Sequence, residues 1–581
     1  MQSTRVAILG VDVGGTFTDA VLLDGGRVRT AKVLTAERQE ESVLAAARAV
    51  GAQDVERFAH GTTTATNALL ERRGGRTAYV GNAGFEHLLH LRRQTRAHLY
   101  RLCAQHPEPL VPLERCHGVR GRLGPAGELE PLGEIPDVGD VDAVAVCLLF
   151  SFRDASHERA VADELRRRHP GVHVVVSHEL APEFREYERA STVAADAYLA
   201  PVAARYLAAL ADAAGAAGLP EPLVMLSSGG VAALADAAAH PATILVSGPA
   251  AGVVGAGLVA RRAGFADAIA FDMGGTSTDV CLLPGGRAAR VAERDVGGLP
   301  IRLPSVDLHT VGAGGGSLVR VDAGGAIHVG PESAGAHPGP ACYGAGGGAT
   351  VTDANLLLGR LPGELPGGLV LDRDAAAAAL AGVDPAAVVE VVNAEMLRAL
   401  RVVSVERGHD PRDFALVAFG GAGPLHACAL AEELGIATVL VPEAAGVLSA
   451  LGLVAGDERR DRVVSHVRPL AEVPDLPQAG EADLRYRGQS FELTVPLQRD
   501  LAGAFHRAHA DRYGYSDASR EIELVAVRTA DIVPGPAIDL HAAARRTVLG
   551  PELVELPGAT CWVPDGWSGE TNDDGTLVLS R

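Results

Sequence analysis

The chain has 581 residues, of which 47% are hydrophobic and 21% are charged. This length exceeds one ordinary hydrophobic core, so we expect roughly two to four domains. The net charge of −20 excludes nucleic acid as an expected partner, because phosphate backbones are bound by basic surfaces.

Membrane insertion and secretion are not expected either. No apolar run reaches the roughly 18 residues that a membrane span needs, and the first residues do not resemble a signal peptide. The seven cysteines show no metal-type spacing, which suits a reducing compartment. We therefore expect a cytoplasmic protein.

In chain order, the first half alternates strands and helices. The apolar run at 5–11 predicts a buried strand, "AVLLD" predicts its partner, and 41–52 has the spacing of a helix. Further strands are predicted at 75–85, 141–152 and 172–179. A helix ended by Pro and Gly is predicted at 157–171. This order is typical of an α/β fold.

The second half contains a long Ala-rich helical stretch at 190–218, which we expect to connect two lobes. Residues 312–348 are rich in glycine and predict loops around a cleft. A strand, a loop and a helix are predicted at 414–435. Beyond about residue 456 the chain predicts a small β-rich module.

One motif occurs twice, as "VDVGGTFTD" at 11–19 and "FDMGGTSTD" at 271–279. Each copy lies between apolar runs and predicts a β-hairpin whose bare turn leaves backbone N–H groups facing an anion. A carboxylate at the end of the first strand can hold Mg²⁺, usually through its waters. The pattern therefore predicts a Mg–nucleoside triphosphate site. Its residues are the metal ligands Asp12 and Asp272 and the phosphate-binding Gly14, Gly15, Thr16, Gly274, Gly275 and Thr276.

The basic residues exclude one common design of phosphate site. The chain has a single lysine, Lys32, and 51 arginines. A P-loop requires a lysine directly after its glycines, and Lys32 does not follow such a loop. A Schiff-base mechanism would depend on the same lysine, which lies in a segment without a recognisable motif.

The duplication predicts two related lobes that share one ligand. In this respect the chain resembles the actin-like ATPase superfamily, in which two ribonuclease-H-like lobes bind ATP in the cleft between them. That resemblance implies a later Gly-Gly turn for the adenosine, matched here by "AFGGAGPLHA" with Gly420, Gly421 and Gly423. The expected domains are a first lobe at 1–189, a second lobe at 190–456 and a C-terminal module at 457–581.

Longer strings resemble the hydantoinase A family, which includes hydantoinase, 5-oxoprolinase and ketone carboxylase subunits. They are "HGTTTATNALLERRG", "SGPAAGVVGA", "TVGAGGGS", "GPESAGAHPGPACYG" and "VERGHDPRDFALVAFGGAGPLHA". The C-terminal module is shorter than is usual in that family. The resemblance implies an ATP-binding A subunit of an ATP-dependent cyclic amidohydrolase, which phosphorylates a ring amide carbonyl for hydrolysis.

The same resemblance implies a separate B-type subunit, and hence a hetero-oligomer, because no part of the sequence resembles a B-type half. Two alternatives stay open. One is an A-type subunit of an ATP-dependent ketone carboxylase, which would take acetone or acetophenone. The other is a non-catalytic actin-like ATP switch, since a fold alone does not determine function.

Three further groups are candidate site residues. His60, Thr62 and Thr63, in "HGTTT", would line the γ-phosphate or polarise a substrate carbonyl. Asp307 and His309 are candidates for an acid–base pair, or alternatively belong to a structural turn. Close approach of a ligand or backbone is expected at Gly314 and Gly315.

Overall fold

The computed structural model describes residues 7–365, 368–542 and 544–581. Its two largest sheets have ten and eight strands. Each sheet forms one lobe, so the fold is α/β with two lobes, as the sequence predicts. Arg5 and Val6, which the predicted first strand included, lie outside the described residues.

The first sheet is built around the strand Ala7–Val13. This strand pairs antiparallel with Phe17–Asp24 and parallel with Val55–Thr62. It is almost wholly buried, as expected for a short apolar run between helices. From edge to edge the strands are Leu493–Pro496, Glu481–Tyr486, Ile522–Val533, Glu458–Pro469, Val231–Ala233, Leu223–Met225, Val55–Thr62, Ala7–Val13, Phe17–Asp24 and Arg27–Leu34.

The second sheet repeats this arrangement around Ala268–Met273. That strand pairs antiparallel with Thr278–Leu283 and parallel with Ala415–Phe419. The internal repeat therefore includes a parallel neighbour as well as the hairpin. From edge to edge the strands are Leu308–Val311, Thr278–Leu283, Ala268–Met273, Ala415–Phe419, Thr438–Pro442, Thr576–Ser580, Ser568–Thr571 and Thr547–Leu549.

A smaller parallel sheet belongs to the first lobe and has its own core. Its strands are His173–Val176, Ala143–Val146, Thr77–Asn82 and Cys116–Val119. Three of these strands and the helix Ser156–Arg168 lie where the sequence predicted them.

Short two-stranded ribbons and further helices complete the described chain. The ribbons are Arg122–Gly124 with Gly127–Glu130, Arg290–Val291 with Ser305–Val306, Arg294–Val296 with Leu299–Ile301, Ser317–Val321 with Ile327–Ser333, Glu364–Leu365 with Leu369–Val370, and Glu552–Leu556 with Ala559–Val563. The further helices are Gln39–Ala49, Thr64–Leu70, Leu88–Leu91, Ser177–Leu180, Leu234–Ala239, Val351–Leu357, Arg373–Ala379, Pro385–Val403, Gly423–Leu434 and Leu501–Tyr513.

The Ala-rich stretch forms one helix, Glu186–Ala216, but it does not connect the lobes as expected. Its buried face belongs to the core of the first lobe, beside the strand Ala7–Val13. It is the one helix among the described residues that is long and apolar enough to cross a membrane, and 67% of its most apolar window is buried inside the protein. Arg189 and Asp196 are fully buried within it. These features are those of a core helix.

Residues 457–581 are shared between the two lobes. The strands Glu458–Pro469 and Ile522–Val533 extend the first sheet, whereas Thr576–Ser580 pairs with Thr438–Pro442 in the second. The first sheet also takes the strands Leu223–Met225 and Val231–Ala233, from the segment predicted to form the second lobe. Strand pairing between distant segments has no local signature, and the predicted boundaries therefore differ from the division that the sheets make.

Two helices, Ser247–Arg262 and Leu448–Ala455, pack against each other between the sheets. The second contacts the strands Ala7–Val13 and Val55–Thr62, and the first contacts Ala268–Met273. Glycines allow the close approach. A Cβ atom on Gly452 would lie 1.9 Å from the Ala251 carbonyl oxygen, and one on Gly255 would lie 2.7 Å from that of Leu448.

We expect Gly452→Ala to destabilise the protein, because the new methyl group overlaps a backbone carbonyl that cannot rotate away. Overpacking of this kind costs about 1–3 kcal/mol, measurable as a lower urea midpoint. Gly215→Ala is the matched control. Its Cβ meets nothing within 4 Å, and a helical Gly→Ala change there stabilises by roughly 0.5–1 kcal/mol. Equal midpoints for both variants would contradict this packing.

Candidate active site

The two repeated turns face each other across one cleft of about 390 Å³. We call residues 12–19 the first turn and residues 272–279 the second turn. The cleft is lined from both sides by matching residues, namely Asp12, Gly14, Gly15 and Thr16 with Asp272, Gly274, Gly275 and Thr276. The structure thus brings together the two sets of residues that the sequence repeat singled out.

The two turns have the same hydrogen-bonded geometry. The Gly14 N–H donates to the Phe17 carbonyl at 3.0 Å, and the Gly274 N–H donates to that of Ser277 at 3.0 Å. In the sheet, Asp12 lies opposite Asp19, and Asp272 lies opposite Asp279. This shared register puts Asp12 and Asp272 at equivalent ends of equivalent strands.

The second glycine of each turn faces open cleft. A Cβ atom on Gly15 or Gly275 would meet no protein atom within 4 Å. A side chain would project into the space between the lobes, so the glycines leave that space to a ligand. Bare turns of this kind also present backbone N–H groups to anions.

Asp12 and Asp272 are buried acids with raised pKa values. Burial, reinforced by Asp19, raises the pKa of Asp12 to about 7. Burial also raises the pKa of Asp272 to about 8, and the charges of Asp279 and Asp12 add to that effect. The Oδ1 atom of Asp12 is buried without a hydrogen-bond partner among the described residues. A buried carboxylate in this state favours a cation beside it.

Each of these two carboxylates lies against a glycine of the adjacent segment. A Cβ atom on Gly61 would lie 2.4 Å from Asp12 Oδ1, and one on Gly420 would lie 2.3 Å from Asp272 Oδ1. Gly61 is directly opposite Asp12 in the parallel ladder, whereas Gly420 follows Phe419, the partner of Asp272. Sequence reasoning missed Gly61; the "HG" of "HGTTT" is its only local signal.

His60 lies outside the cleft. Its Nδ1 is 3.1 Å from the Val11 carbonyl oxygen and its Nε2 is 2.7 Å from the Tyr206 hydroxyl. Burial lowers the pKa of His60 to about 4, so the ring is neutral. Successive strand residues point to opposite faces, which is why Gly61 lies against Asp12 while His60 points into the lobe. The structure therefore does not place this predicted catalytic residue at the site.

Thr62 and Thr63 also lie outside the cleft lining. The Thr62 and Thr64 hydroxyls are 2.8 Å apart, and the Thr63 hydroxyl donates to the Val13 carbonyl at 3.3 Å. These contacts fix the strand that carries Asp12. Their predicted contact with phosphate has no support in this geometry.

Asp307 and His309 lie at the outer edge of the second sheet. The Asp307 carboxylate makes an ion pair with Arg407, and His309 lies opposite Val280 in an edge strand. Neither residue lines the cleft. These positions fit the alternative that both residues belong to a structural turn. The predicted acid–base pair is not brought to the first or second turn.

The glycine-rich loops support the second turn from behind. The N–H groups of Gly315 and Gly316 donate to the carbonyls of Gly274 and Gly275, at 3.0 and 2.7 Å. A Cβ atom on Gly314 would lie 2.7 Å from the Gly275 backbone. Gly315 and Gly316 line the cleft and Gly314 packs behind it.

The glycines of the later Gly-Gly turn, at 420–423, also lie partly inside and partly outside the cleft lining. Gly420 and Gly421 line the cleft, whereas Gly423 packs on the strand Ala268–Met273. Part of the cleft lining is apolar and consists of Tyr343, Leu361, Leu365, Leu369 and Leu425.

Lys32 also lines the cleft, although its sequence context carried no motif. Its Nζ donates to Asp19 Oδ1 at 2.5 Å. The one available signal was compositional, because it is the single lysine in a chain with 51 arginines.

Two family models cover most of the chain. The model of the hydantoinase/oxoprolinase N-terminal region matches residues 8–169, and the hydantoinase/oxoprolinase model matches residues 189–462. The chain belongs to the hydantoinase/oxoprolinase family.

Named relatives align over three quarters of this chain or more. The caprolactamase subunit alpha of Pseudomonas jessenii is 34% identical and covers 96% of this chain and 90% of its own length. The acetophenone carboxylase gamma subunit of Aromatoleum aromaticum is 32% identical over 76% of this chain and 67% of its own. The crystal structure of the ATP-dependent caprolactamase from Pseudomonas jessenii superposes with a TM-score of 0.83, at 31% identity and 99% coverage of both chains. The predicted actin-like fold is confirmed.

We expect the stability of the ligand-free protein to fall as the pH rises from about 5 to about 8.5. At pH values between the ordinary pKa of an aspartate and the raised pKa values of Asp12 and Asp272, the folded state holds more protons than the unfolded state. Stability is then highest at low pH and is lost as these acids ionise.

Asp272→Asn, which cannot ionise, should flatten that dependence and raise the free energy of unfolding at pH 8.5 by several kcal/mol, since each unit by which the pKa is raised corresponds to about 1.4 kcal/mol. Urea unfolding without divalent cations, at pH 5 and pH 8.5, measures both effects. A variant with the wild-type pH dependence would contradict the raised pKa of Asp272.

Proposed function

We propose that the chain binds Mg·ATP between the two turns and is the ATP-binding subunit of an ATP-dependent cyclic amidohydrolase. The observation that carries this proposal is the pairing of two equivalent Asp–Gly–Gly–Thr turns across one cleft. A triphosphate matches the chemistry of this cleft, because its negative charge is stabilised by backbone N–H donors of the turns and by a cation beside the carboxylates. The ATP dependence stated for the caprolactamase supports the choice of nucleotide.

Asp12 and Asp272 would hold the magnesium. Both are carboxylates, the hard oxygen ligands that this ion prefers, and Asp12 Oδ1 is unpaired among the described residues. Among those residues no group of three or more side chains forms a ready metal site. Mg²⁺ bound to nucleotides usually keeps several waters and takes one or two protein carboxylates, so two acids suffice. When bound, the ion would neutralise phosphate charge.

The apolar part of the cleft would take the adenine. The leucines and the Gly420–Gly421 turn line the same cleft, and a Cβ atom on Gly421 would meet nothing within 4 Å, which leaves room for a flat base. Apolar walls with a few polar groups are typical of such sites. The triphosphate would then run from that part toward Asp12 and Asp272.

The chemistry that follows concerns a ring amide, which resists water because resonance delocalises the nitrogen lone pair. Attack of the carbonyl oxygen on the γ-phosphorus releases ADP and removes that resonance. Water can then add to the carbon, and the C–N bond breaks with its electron pair and a proton going to nitrogen. A second water hydrolyses the resulting acyl phosphate to a carboxylate and phosphate. In this step the chain's contribution is to bind the triphosphate, to orient it with the two turns, and to hold Mg²⁺ through Asp12 and Asp272.

Ring opening would require a second, B-type subunit in a hetero-oligomer. The similar caprolactamase chain is itself named a subunit. The seven cysteines are free thiols, which supports the proposed cytoplasmic location.

A second candidate is the A-type subunit of an ATP-dependent ketone carboxylase. The similarity to an acetophenone carboxylase subunit favours it. The same cleft would then deliver the phosphoryl group to an enolate oxygen. Dependence of ATP turnover on both bicarbonate and a ketone would distinguish this function.

The amidohydrolase proposal predicts that a lactam stimulates ATP hydrolysis. ADP release is to be measured with caprolactam, 5-oxoproline and hydantoins, with and without a B-type subunit. We expect stimulation by one ring amide in the complete complex. Turnover that needs bicarbonate and a ketone would favour the carboxylase, and nucleotide-dependent partner binding without any small molecule would favour an ATP switch.

Asp12→Ala and Asp272→Ala should each reduce that turnover by at least about 100-fold, the usual scale when a group that orders a metal or phosphate charge is lost. Asp212→Ala, in an exposed helix position, is the control and should retain full turnover. Melting temperatures establish that the variants fold. Near-wild-type activity in either cleft variant would contradict the shared magnesium site.

A further inference from the structure

Lys32 is the only lysine among the 52 basic residues and the only cationic side chain among the described residues that line the cleft. Its side chain is 18% exposed. Every other residue in this set is arginine, so we expect the surroundings of Lys32 to explain why this one position is a lysine.

The lysine is held on three sides. It lies on the strand Arg27–Leu34, directly opposite Asp19, and its Nζ is 5.2 Å from the centre of the Phe17 ring. Gly558 lies beside its stem, because a Cβ atom there would be 3.2 Å from Lys32 Cε. An ammonium group has three donors, and the structure records a hydrogen bond from it to Asp19 alone.

The internal repeat shows that Asp19 does not require a hydrogen-bonded cation. Its equivalent, Asp279, lies opposite Thr310 in the second sheet. The Thr310 hydroxyl donates to Asp279 Oδ1 at 2.5 Å. A neutral hydroxyl therefore satisfies the same carboxylate at the same register. The two turns match in aspartate, glycine and threonine. They differ in that only the first has a cation hydrogen-bonded to the last aspartate, whereas Arg294 acts on Asp279 through its charge alone.

A compact cation at one end of an otherwise symmetrical site has a chemical consequence. A lysine ammonium is a point charge with freely rotating donors, whereas a guanidinium is a rigid planar fork. A phosphoryl group in transfer spreads its charge over three oxygens whose positions change during the step. A rotating point charge follows these oxygens as the group moves.

We propose that the Lys32 ammonium contacts the terminal phosphoryl group of ATP and follows it to the substrate carbonyl oxygen. This inference rests on the proposed function. The bond from the γ-phosphorus to the bridging oxygen breaks, and ADP leaves with the electron pair. The bond from the carbonyl oxygen to phosphorus forms. Lys32 stays protonated throughout and stabilises the negative charge of the transferred group.

The uniqueness of Lys32 makes its position directly testable with an adenosine acyl phosphate, whose acyl carbon takes the place of the terminal phosphoryl group. If Lys32 lies there, its ammonium first loses a proton to water and the neutral Nζ attacks that carbon. An amide forms, the nucleotide phosphate leaves with its electron pair, and a second proton passes to water. After trypsin digestion the acyl group should appear on the peptide 30–38, uncleaved at Lys32. Excess Mg·ATP should prevent the labelling.

Label confined to the chain's terminal amine, in protein that binds Mg·ATP by calorimetry, would overturn the role of Lys32 and leave the nucleotide site intact. Absence of Mg·ATP binding in that calorimetry would instead overturn the proposed function. The two failures are therefore distinguishable.

A second test separates phosphoryl contact from a merely structural role. Affinity for Mg·ADP is measured with and without beryllium fluoride, which occupies the place of the terminal phosphoryl group. Lys32→Met should change ADP affinity by less than about threefold, but should lose at least about 30-fold in the tightening that beryllium fluoride gives. Lys32→Arg should recover part of it.

Arg29→Met is the matched control, since it removes one positive charge from the same strand at a half-exposed position. It should leave both affinities unchanged. Asp19→Asn keeps the ammonium and removes the negative charge of its partner, so tightening by beryllium fluoride should persist. Equal loss of both affinities in Lys32→Met, or the same selective loss in Asp19→Asn, would show that Lys32 only supports the turn.

Discussion

Two like charges placed opposite each other in a buried cleft are the constraint on which this structure depends. Asp12 and Asp272 end equivalent strands of two lobes, and burial raises the pKa of both. The charge of Asp19 adds to this effect at Asp12, and the charges of Asp279 and Asp12 add to it at Asp272. Such an arrangement lowers the stability of the ligand-free protein at neutral pH and above. It favours any ligand that brings a cation between the carboxylates, so nucleotide and metal would bind together.

The surrounding glycines follow from that constraint. Gly61 and Gly420 leave room for the two carboxylates, and Gly15 and Gly275 leave room for the ligand. Gly255 and Gly452 let the two central helices pack closely between the sheets. Movement of one lobe against the other would therefore be transmitted through these helices, and the positions of the two aspartates would change with it.

The sequence predicted what local pattern determines. Aspartate, two glycines and a threonine between apolar runs define the hairpin, and its repetition predicted two lobes and one shared cleft. What depends on side-chain direction or on distant pairing was missed. His60 and Gly61 are neighbours, yet only Gly61 lies against Asp12, because side-chain direction alternates along the strand. His309 lies in the edge strand Leu308–Val311 and Asp307 directly precedes that strand, away from the cleft. The role proposed for Lys32 depends on its contacts with Asp19 and Phe17, which form only in the folded sheet.

The most direct test of the central claim is a double-mutant cycle on Mg·ATP binding by calorimetry, with Asp12→Asn, Asp272→Asn and the double variant. If both carboxylates hold one ion on one nucleotide, either change removes most of the magnesium-dependent affinity and the second adds little. Coupling energies between residues that share a partner are about 0.5–3 kcal/mol. Strictly additive losses, or unchanged affinity in one single variant, would contradict a shared site.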